Sequence, residues 1–246
     1  TMIVYLLLFV GLNAIIMTQD IFNLFVFLEI TSVAIIGLVL LQKETNAISA
    51  GFKFLIATSI ISGIMLIGII FIYHYTGSLY INDIIDANVT AAKGGFAAVF
   101  LIMIALALEL KPFPANGWAL DVYQAAHPGL AALISAGFAS AMIFVLHKLL
   151  PIAGPEWQTI FAAIGAVTFL GSNLLGIKQT HSRRLLGYSS VGQMGLLVMI
   201  VGLSQHLNDK FMLIAYGILI SHYLAKAGLF WLAGIIKQDN IRQWTV

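Results

Sequence analysis

The stretch Glu109–Pro128, ELKPFPANGWALDVYQAAHP, follows the apolar run Gly94–Leu108, which has the composition of a transmembrane helix. Pro112 and Pro114 end that helix, because proline lacks a backbone N–H and its ring clashes with the preceding turn. The residues Ala119–Ala126 then allow the helix to resume. A broken helix is stable at membrane depth only where its freed backbone groups face protein or a water-filled cavity. Such breaks are typical of ion and substrate sites in transporters, so the stretch predicts the hinge of an ion-carrying membrane protein.

The composition excludes an ordinary soluble domain. The chain is 61% hydrophobic and only 9% charged, whereas soluble domains have roughly 25% charged residues. It has no cysteine, so disulfides, thiolate-bound iron–sulfur clusters and a cysteine nucleophile are excluded. The net charge is only +2, and the basic residues form no continuous stripe along the sequence. No nucleic-acid partner is therefore expected. We expect no cofactor in this chain; any redox cofactors are expected in partner subunits.

Eight segments are apolar enough to cross a bilayer, which requires about 20 apolar residues in a helix. The predicted spans are Met2–Met17, Ile21–Leu41, Ala50–Tyr73, Gly94–Leu108 (resuming to about Ala126), Leu130–Leu150, Trp157–Ile177, Leu185–Ser204 and Phe211–Ile236. The segment Thr76–Lys93 is too polar to span and is predicted as an interfacial loop with a short amphipathic helix. The fold class predicted is an all-α, polytopic bundle of transmembrane helices that includes one broken helix.

Lysine and arginine are distributed unevenly between the two ends of this bundle. Eight of the twelve lie at the end where the first helix starts, which we call the basic side: Lys43, Lys53, Lys111, Lys178, Arg183, Arg184, Lys237 and Arg242. The opposite end has Lys93, Lys148 and Lys210, and Lys226 lies inside a helix. The positive-inside rule therefore predicts that the basic side is cytoplasmic.

Two carboxylates stand out inside these spans. Glu29 lies in the middle of the second span, where a charge costs about 2.5–3.5 kcal/mol on insertion scales. It is either a neutral, hydrogen-bonded group that joins helices or a titrating relay carboxylate. Glu109 lies where the broken helix ends. It is either an interfacial partner of Lys111 or Lys43, or a relay member beside unwound backbone.

Two lysines and one histidine complete the set of candidate relay residues. His222 and Lys226 are four residues apart and share one helix face, which suits a proton step. The alternative is a satisfied core histidine beside a lysine that snorkels to water. Lys53, near the start of the third span, either snorkels or pairs with a carboxylate. Four neutral polar residues could hold water or simply join helices: Ser140, Asn173, Ser189 and Gln193.

Five strings in this order resemble one known family: NLFVFLEITS, KFLIATSIISG with YTGSLYINDI, PF…W…LDVYQ, QTHSRRLLGYSSVGQMGLL and ISHYLAKAGLFWLAGII. The chain is similar to the antiporter-like subunits of respiratory complex I, membrane-bound hydrogenases and Mrp-type sodium/proton antiporters. That family has about fourteen helices with two inverted five-helix repeats. The resemblance implies that residues 1–150 form one complete repeat and residues 151–246 form part of a second, as in a fragment or a split subunit.

The resemblance also implies a function. It predicts a proton-translocating subunit of a redox-driven complex in the lipid bilayer, an ion-translocating oxidoreductase of the NADH dehydrogenase or hydrogenase type. No catalysis by this chain alone is expected. Its partners would be other membrane subunits, and its location the inner membrane of a prokaryotic cell. Two alternatives stay open: a subunit of a Na⁺/H⁺ antiporter, and an inert structural relative that has lost part of the relay.

Carried over residue by residue, Glu29, Lys53, His222 and Lys226 match ionisable residues of the family. The lysine that the family usually has in the broken helix falls at Glu109 or Ala107, depending on the anchor, and the lysine of the following helix falls at Ala139 or Ser140. Half of the usual relay is therefore predicted to be missing. The predicted relay comprises Glu29, Lys53, Glu109, His222 and Lys226.

Overall fold

The computed structural model describes residues 1–91, 94–207 and 210–244, and these are overwhelmingly helical. In chain order the helices are α1 Met2–Met17, α2 Ile21–Leu40, α3 Thr45–Thr76, α4 Ile81–Asp86, α5 Gly95–Glu109, α6 Gly117–Ala125, α7 Pro128–Leu133, α8 Ala139–Leu149, α9 Pro155–Gly176, α10 Ser182–Gly202, α11 Ser204–Leu207 and α12 Lys210–Ile236. In the part of the chain that the structure describes, six helical segments are long and apolar enough to cross a membrane, and α1 and α5 are shorter apolar helices.

The predicted all-α membrane bundle is confirmed, and each of the eight predicted spans coincides with a helix or a broken helix. The third span differs most, because its helix begins at Thr45 rather than Ala50. The predicted interfacial loop contains the short helix α4 and a 3₁₀ turn, Val89–Ala91. Lys93, assigned above to the end opposite the basic side, lies outside the described residues. The division into one complete and one partial repeat stays a prediction.

The segment between α7 and α8 is a π-helical turn, Ile134–Phe138. It lies within one continuous span, Pro128–Ile152. A π turn holds one residue more than the α-helical turn it replaces, and such turns are frequent at functional sites. Ser135, the second residue of this turn, is completely buried.

Helix α10 lies at the centre of the bundle and packs against α6, α8, α9 and α12. Its contact with α9 is close because both helices present glycine. A Cβ atom added at Gly195 would lie 2.7 Å from the Phe169 amide nitrogen and 2.8 Å from the Gly165 carbonyl oxygen. Small residues of this kind let membrane helices approach backbone to backbone. Helix α10 thereby joins the first 150 residues to the rest of the chain.

We expect Gly195→Val to separate α9 from α10, because the added side chain would collide with backbone atoms that cannot rotate away. Overpacking of this kind costs about 1–3 kcal/mol. The measurement is the thermal unfolding midpoint of the protein in detergent. The matched control is Gly217→Val on α12, since a Cβ at Gly217 meets nothing within 4 Å. Equal midpoints for the two variants would contradict the packing described here.

Candidate functional site

The break between α5 and α6 is supported by two side chains of α9. The Phe113 N–H donates to Thr168 Oγ1 at 3.0 Å, and the Asn116 side-chain amide donates to Ser172 Oγ at 3.4 Å. Gly171, between them on α9, lies under the Phe113 ring. The first bond gives a backbone N–H of the break a partner, and the second ties a side chain of the break to α9, so the break is held by protein.

Lys111 is buried in the break, with only 5% of its surface exposed. That no lysine of this chain matches the one the family has in the broken helix stays a prediction. Lys111 was counted above among the loop lysines of the basic side, whereas the structure buries its side chain at the break. Its backbone has a left-handed conformation, φ 59°, which turns the side chain into the bundle. Its Nζ lies 4.7 Å from the centre of the Phe138 ring and 5.8 Å from that of Trp118. Aromatic faces at this distance attract a cation.

Glu29 and Glu109 line one small cavity of about 20 Å³, together with the hydroxyls of Ser32, Thr58 and Ser62. The rest of the lining is apolar, and a space of this size can hold about one water molecule where such polar groups supply its hydrogen bonds. Glu109 is 7% exposed, and its Oε1 atom has no hydrogen-bond partner among the residues that the structure describes. The two predicted carboxylates are therefore brought together.

Glu109 also lines a second cavity, of about 10 Å³, on its other side. Lys111 and Tyr123 line that cavity with it. Glu109 and Met142 line both cavities, and of these two only Glu109 is ionisable. It connects the Glu29 side of the bundle with the Lys111 side.

Tyr123 continues the buried polar chain beyond Lys111. It is 1% exposed, its ring stacks on Phe230 with centroids 5.6 Å apart, and its hydroxyl interacts with the hydroxyls of Ser190 and Ser135. Those two serine oxygens are 2.7 Å from each other. Because a hydroxyl both donates and accepts, this group of three can relay a proton without holding charge.

His222 lies next to this group and is 1% exposed. Its Nε2 donates to the Ser135 carbonyl oxygen at 2.9 Å, which fixes a hydrogen on that nitrogen because a carbonyl can only accept. Its Nδ1 is 2.9 Å from the Gln193 side-chain oxygen. Gln193 can turn either its oxygen or its amide nitrogen toward the ring, so the contact suits both imidazolium and neutral imidazole.

Lys226 lies one turn farther along α12 and is 2% exposed. Its Nζ donates to Ser189 Oγ at 2.7 Å, so it does not snorkel to the membrane surface. Two of the predicted neutral polar residues, Ser189 and Gln193, therefore contact the predicted lysine and histidine.

Three predicted residues lie outside this buried chain. Lys53 is 56% exposed and forms an ion pair with Asp121 at 2.6 Å on the basic side. Asn173 is exposed and donates to Phe169 O of its own helix. Ser140 is buried without a hydrogen-bond partner for its hydroxyl, in an apolar groove that also contains Phe9 and Leu219.

Four members of the buried polar chain were not among the predicted relay residues: Lys111, Tyr123, Ser135 and Ser190. The sequence did contain a sign of the role of Lys111: it lies between Glu109 and two prolines, within the segment predicted as the break in the helix. Ser135 and Ser190 look in the sequence like ordinary small residues that allow helices to pack closely. They come together only because Ser135 lies in the π turn and α10, which carries Ser190, packs beside it.

Comparison with known proteins identifies several relatives. Residues 18–245 match the family described as NADH:quinone oxidoreductase/Mrp antiporter, transmembrane. The chain is 30% identical to NADH-quinone oxidoreductase subunit N of Desulforudis audaxviator, covering 96% of this chain and 48% of the relative. It is 29% identical to subunit N 1 of Chloroherpeton thalassium, covering 96% and 52%. The chain spans about half the length of these curated relatives.

Solved structures give the same fold. A chain of the membrane-bound sulfane sulfur reductase, an archaeal respiratory membrane complex, is 29% identical with a TM-score of 0.87, covering 98% of this chain and 51% of that one. A chain of the Mrp complex from Dietzia superposes with a TM-score of 0.86 at 24% identity, covering 95% and 44%. At that identity the second likeness shows the fold alone. The protein is an integral, multi-pass membrane protein.

We expect Thr168→Val to destabilise the break, because the buried Phe113 N–H would lose its acceptor. An unsatisfied buried polar group costs about 1–3 kcal/mol. The measurements are the thermal midpoint in detergent and hydrogen exchange of the peptide covering residues 110–116. Thr58→Val is the matched control, since the Thr58 hydroxyl donates to Phe54 O of its own helix. Faster exchange at the break in the control alone would refute this role of Thr168.

Proposed function

We propose that this chain, a member of the NADH:quinone oxidoreductase/Mrp antiporter family, is a proton-translocating subunit of a redox-driven membrane complex. The observation that carries the proposal is the buried polar chain that runs from Glu29 through Glu109, Lys111 and Tyr123 to His222, and ends at Lys226. Buried ionisable groups are expensive in a membrane and typically mark ion pathways. The relatives supply the setting, because their names place them in respiratory and Mrp complexes.

The proton would move in short steps between neighbouring groups. Water in the first cavity would pass it from Glu29 to Glu109, whose unpartnered Oε1 is free to receive it. Glu109 would release it on the side of Lys111 and Tyr123. Ser190 and Ser135 would carry it toward His222. That last transfer needs a water molecule or a turn of the ring, since His222 Nε2 faces the Ser135 carbonyl rather than its hydroxyl.

Lys111 favours the proton over sodium as the translocated ion. A sodium ion at the break would be held by Glu109 and freed carbonyl groups, as in transporters with broken helices. In this protein the Lys111 amine lines the same cavity as Glu109 and supplies a competing positive charge. The buried lysine also argues against the inert relative, because the broken helix has kept an ionisable amine. The energy would come from redox cofactors in partner subunits of a prokaryotic inner-membrane complex.

We expect Glu109→Gln and Lys111→Met each to lower proton pumping by the whole complex by about tenfold or more, since a positioned proton-transfer group contributes roughly 10²–10⁴-fold to rate. The measurement is proton uptake per electron in proteoliposomes. The matched control is Glu156→Gln, an exposed carboxylate in the first turn of α9, which should pump like the parent protein.

Pumping that survives both substitutions would reject the assignment. The same vesicles report on the alternative ion: uptake of sodium-22 that depends on Glu109 while proton uptake does not would replace the proton with sodium. Coupling that withstands every substitution in the buried chain would favour the inert relative.

A further inference from the structure

Two aromatic side chains from separate helical segments meet at the amine of Lys111. Phe138 is the last residue of the π-helical turn, and Trp118 is the second residue of α6. Lys111 Nζ lies 4.7 Å from the centre of the Phe138 ring and 5.8 Å from that of Trp118. Both distances are within the range of about 6 Å over which a ring face attracts a cation. We call Phe138 and Trp118 the aromatic pair.

The surrounding protein fixes both rings in place. Phe138 is 1% exposed. The Trp118 ring packs edge-on against Phe54 of α3, with centroids 5.4 Å apart and an angle of 67° between the ring planes. Groups that are held in position before a charge forms need no rearrangement when it does. The attraction between a ring and a cation also strengthens where water is excluded, as it is around the buried Lys111.

The π turn connects the aromatic pair to the second lysine region of the buried chain. Phe138 contacts Lys111, and three residues earlier in the same turn the Ser135 carbonyl oxygen accepts from His222 Nε2 at 2.9 Å. The turn therefore fixes the surroundings of two ionisable groups, Lys111 and His222, relative to one another.

The aromatic pair is not the sole influence on the charge of Lys111. Glu109 of α5 and Tyr123 of α6 face it across the cavity of about 10 Å³, and Glu29 of α2 lies beyond Glu109 in the next cavity. A carboxylate also favours a protonated amine, so the effect of the rings has to be separated from that of Glu109. The helices α8 and α10 line the cavity with side chains that do not titrate: Ala139, Met142, Val191 and Met194.

We propose that the aromatic pair positions Lys111 for proton transfer, by binding its protonated amine through the ring faces and releasing it when the proton leaves. Phe138 and Trp118 act through Lys111 and are therefore positioning residues. The pair sets the pH range over which the break takes up and gives up a proton. This role rests on the proposed function, because it describes how one member of the buried chain is kept ready.

Ring fluorination tests this role without removing the ring. Fluorine withdraws electrons from the ring face, which attracts the cation, and changes the ring size little. In the whole complex, Phe138 is replaced by phenylalanine carrying one, two or three ring fluorines, and the fluorine-19 NMR signal is followed against pH. We expect the signal to titrate, and its midpoint to fall with each added fluorine. Over the series the fall should reach about one pH unit, a roughly tenfold loss of proton affinity.

Three controls identify the titrating group. Phe161 of α9 is fully buried and packs against Trp157, so the same analogues at Phe161 should give a signal without this titration. Lys111→Met should abolish the titration at Phe138. Glu109→Gln should preserve the stepwise fall, although the midpoint itself changes. A titration that survives Lys111→Met, or a midpoint that is the same for all three rings, overturns the proposal.

Replacements of Trp118 extend the test to proton pumping. Trp118→Leu removes a ring face and should lower pumping in proteoliposomes more at alkaline than at acidic pH, because the amine then loses its proton more readily. Trp118→Phe keeps a ring face and should restore most of the pumping. An equal loss at every pH in both variants would show a structural role alone and would contradict the proposal.

The fluorine signal does not depend on pumping, so the two proposals fail separately. A complex whose midpoint follows ring fluorination but which moves no protons overturns the proposed function alone. A complex that pumps while its midpoint ignores ring fluorination overturns the role of the aromatic pair alone.

Discussion

The constraint on which this structure depends is that no backbone group freed in the hydrocarbon region can be left without a partner. The prolines of the break free such groups, and Thr168 of α9 accepts from one of them, the Phe113 N–H, while Ser172 accepts from the Asn116 side chain. That support fixes where the chain turns, and the turn at Lys111 directs its amine inward. The position of the buried lysine is thus a consequence of how the break is satisfied.

The ionisable groups of the buried polar chain are stabilised by many weak interactions rather than by one strong ion pair. Lys111 is bordered by two aromatic rings, Lys226 has a serine hydroxyl, and His222 has a carbonyl and an amide. Lys111 also shares a cavity with the Glu109 carboxyl, whereas the partners named for Lys226 and His222 hold no full opposite charge. A group stabilised in this way can change its protonation state without leaving a buried counter-charge stranded, which would be costly. The unpartnered oxygen of Glu109 is the most adaptable point in the chain.

The sequence predicted the fold because each transmembrane span is a local property: length, hydropathy and proline position sufficed. It also marked Glu29, Glu109, His222 and Lys226 as candidates, because an ionisable residue inside an apolar run is visible without coordinates, and their part in a relay stays a prediction. Lys111 was missed because its burial depends on a left-handed residue and on support from α9, fifty-five or more residues away in the chain. Lys53 was placed in the relay by its match to the family, and a match in sequence does not show that its partner is Asp121 at the basic side.

The π turn at Ile134–Phe138 has a consequence for comparing this chain with its relatives. The π turn contains one residue more than a regular α-helical turn. Each residue of an α-helix turns the chain by about 100°, so the extra residue rotates the side chains that follow by about that angle. A homologue with a regular helix here needs one residue fewer to present the same face. Aligning the two without a gap inside Ile134–Phe138 assigns every later position of this span to the wrong side, so equivalence between helices is better judged by three-dimensional superposition than by residue count.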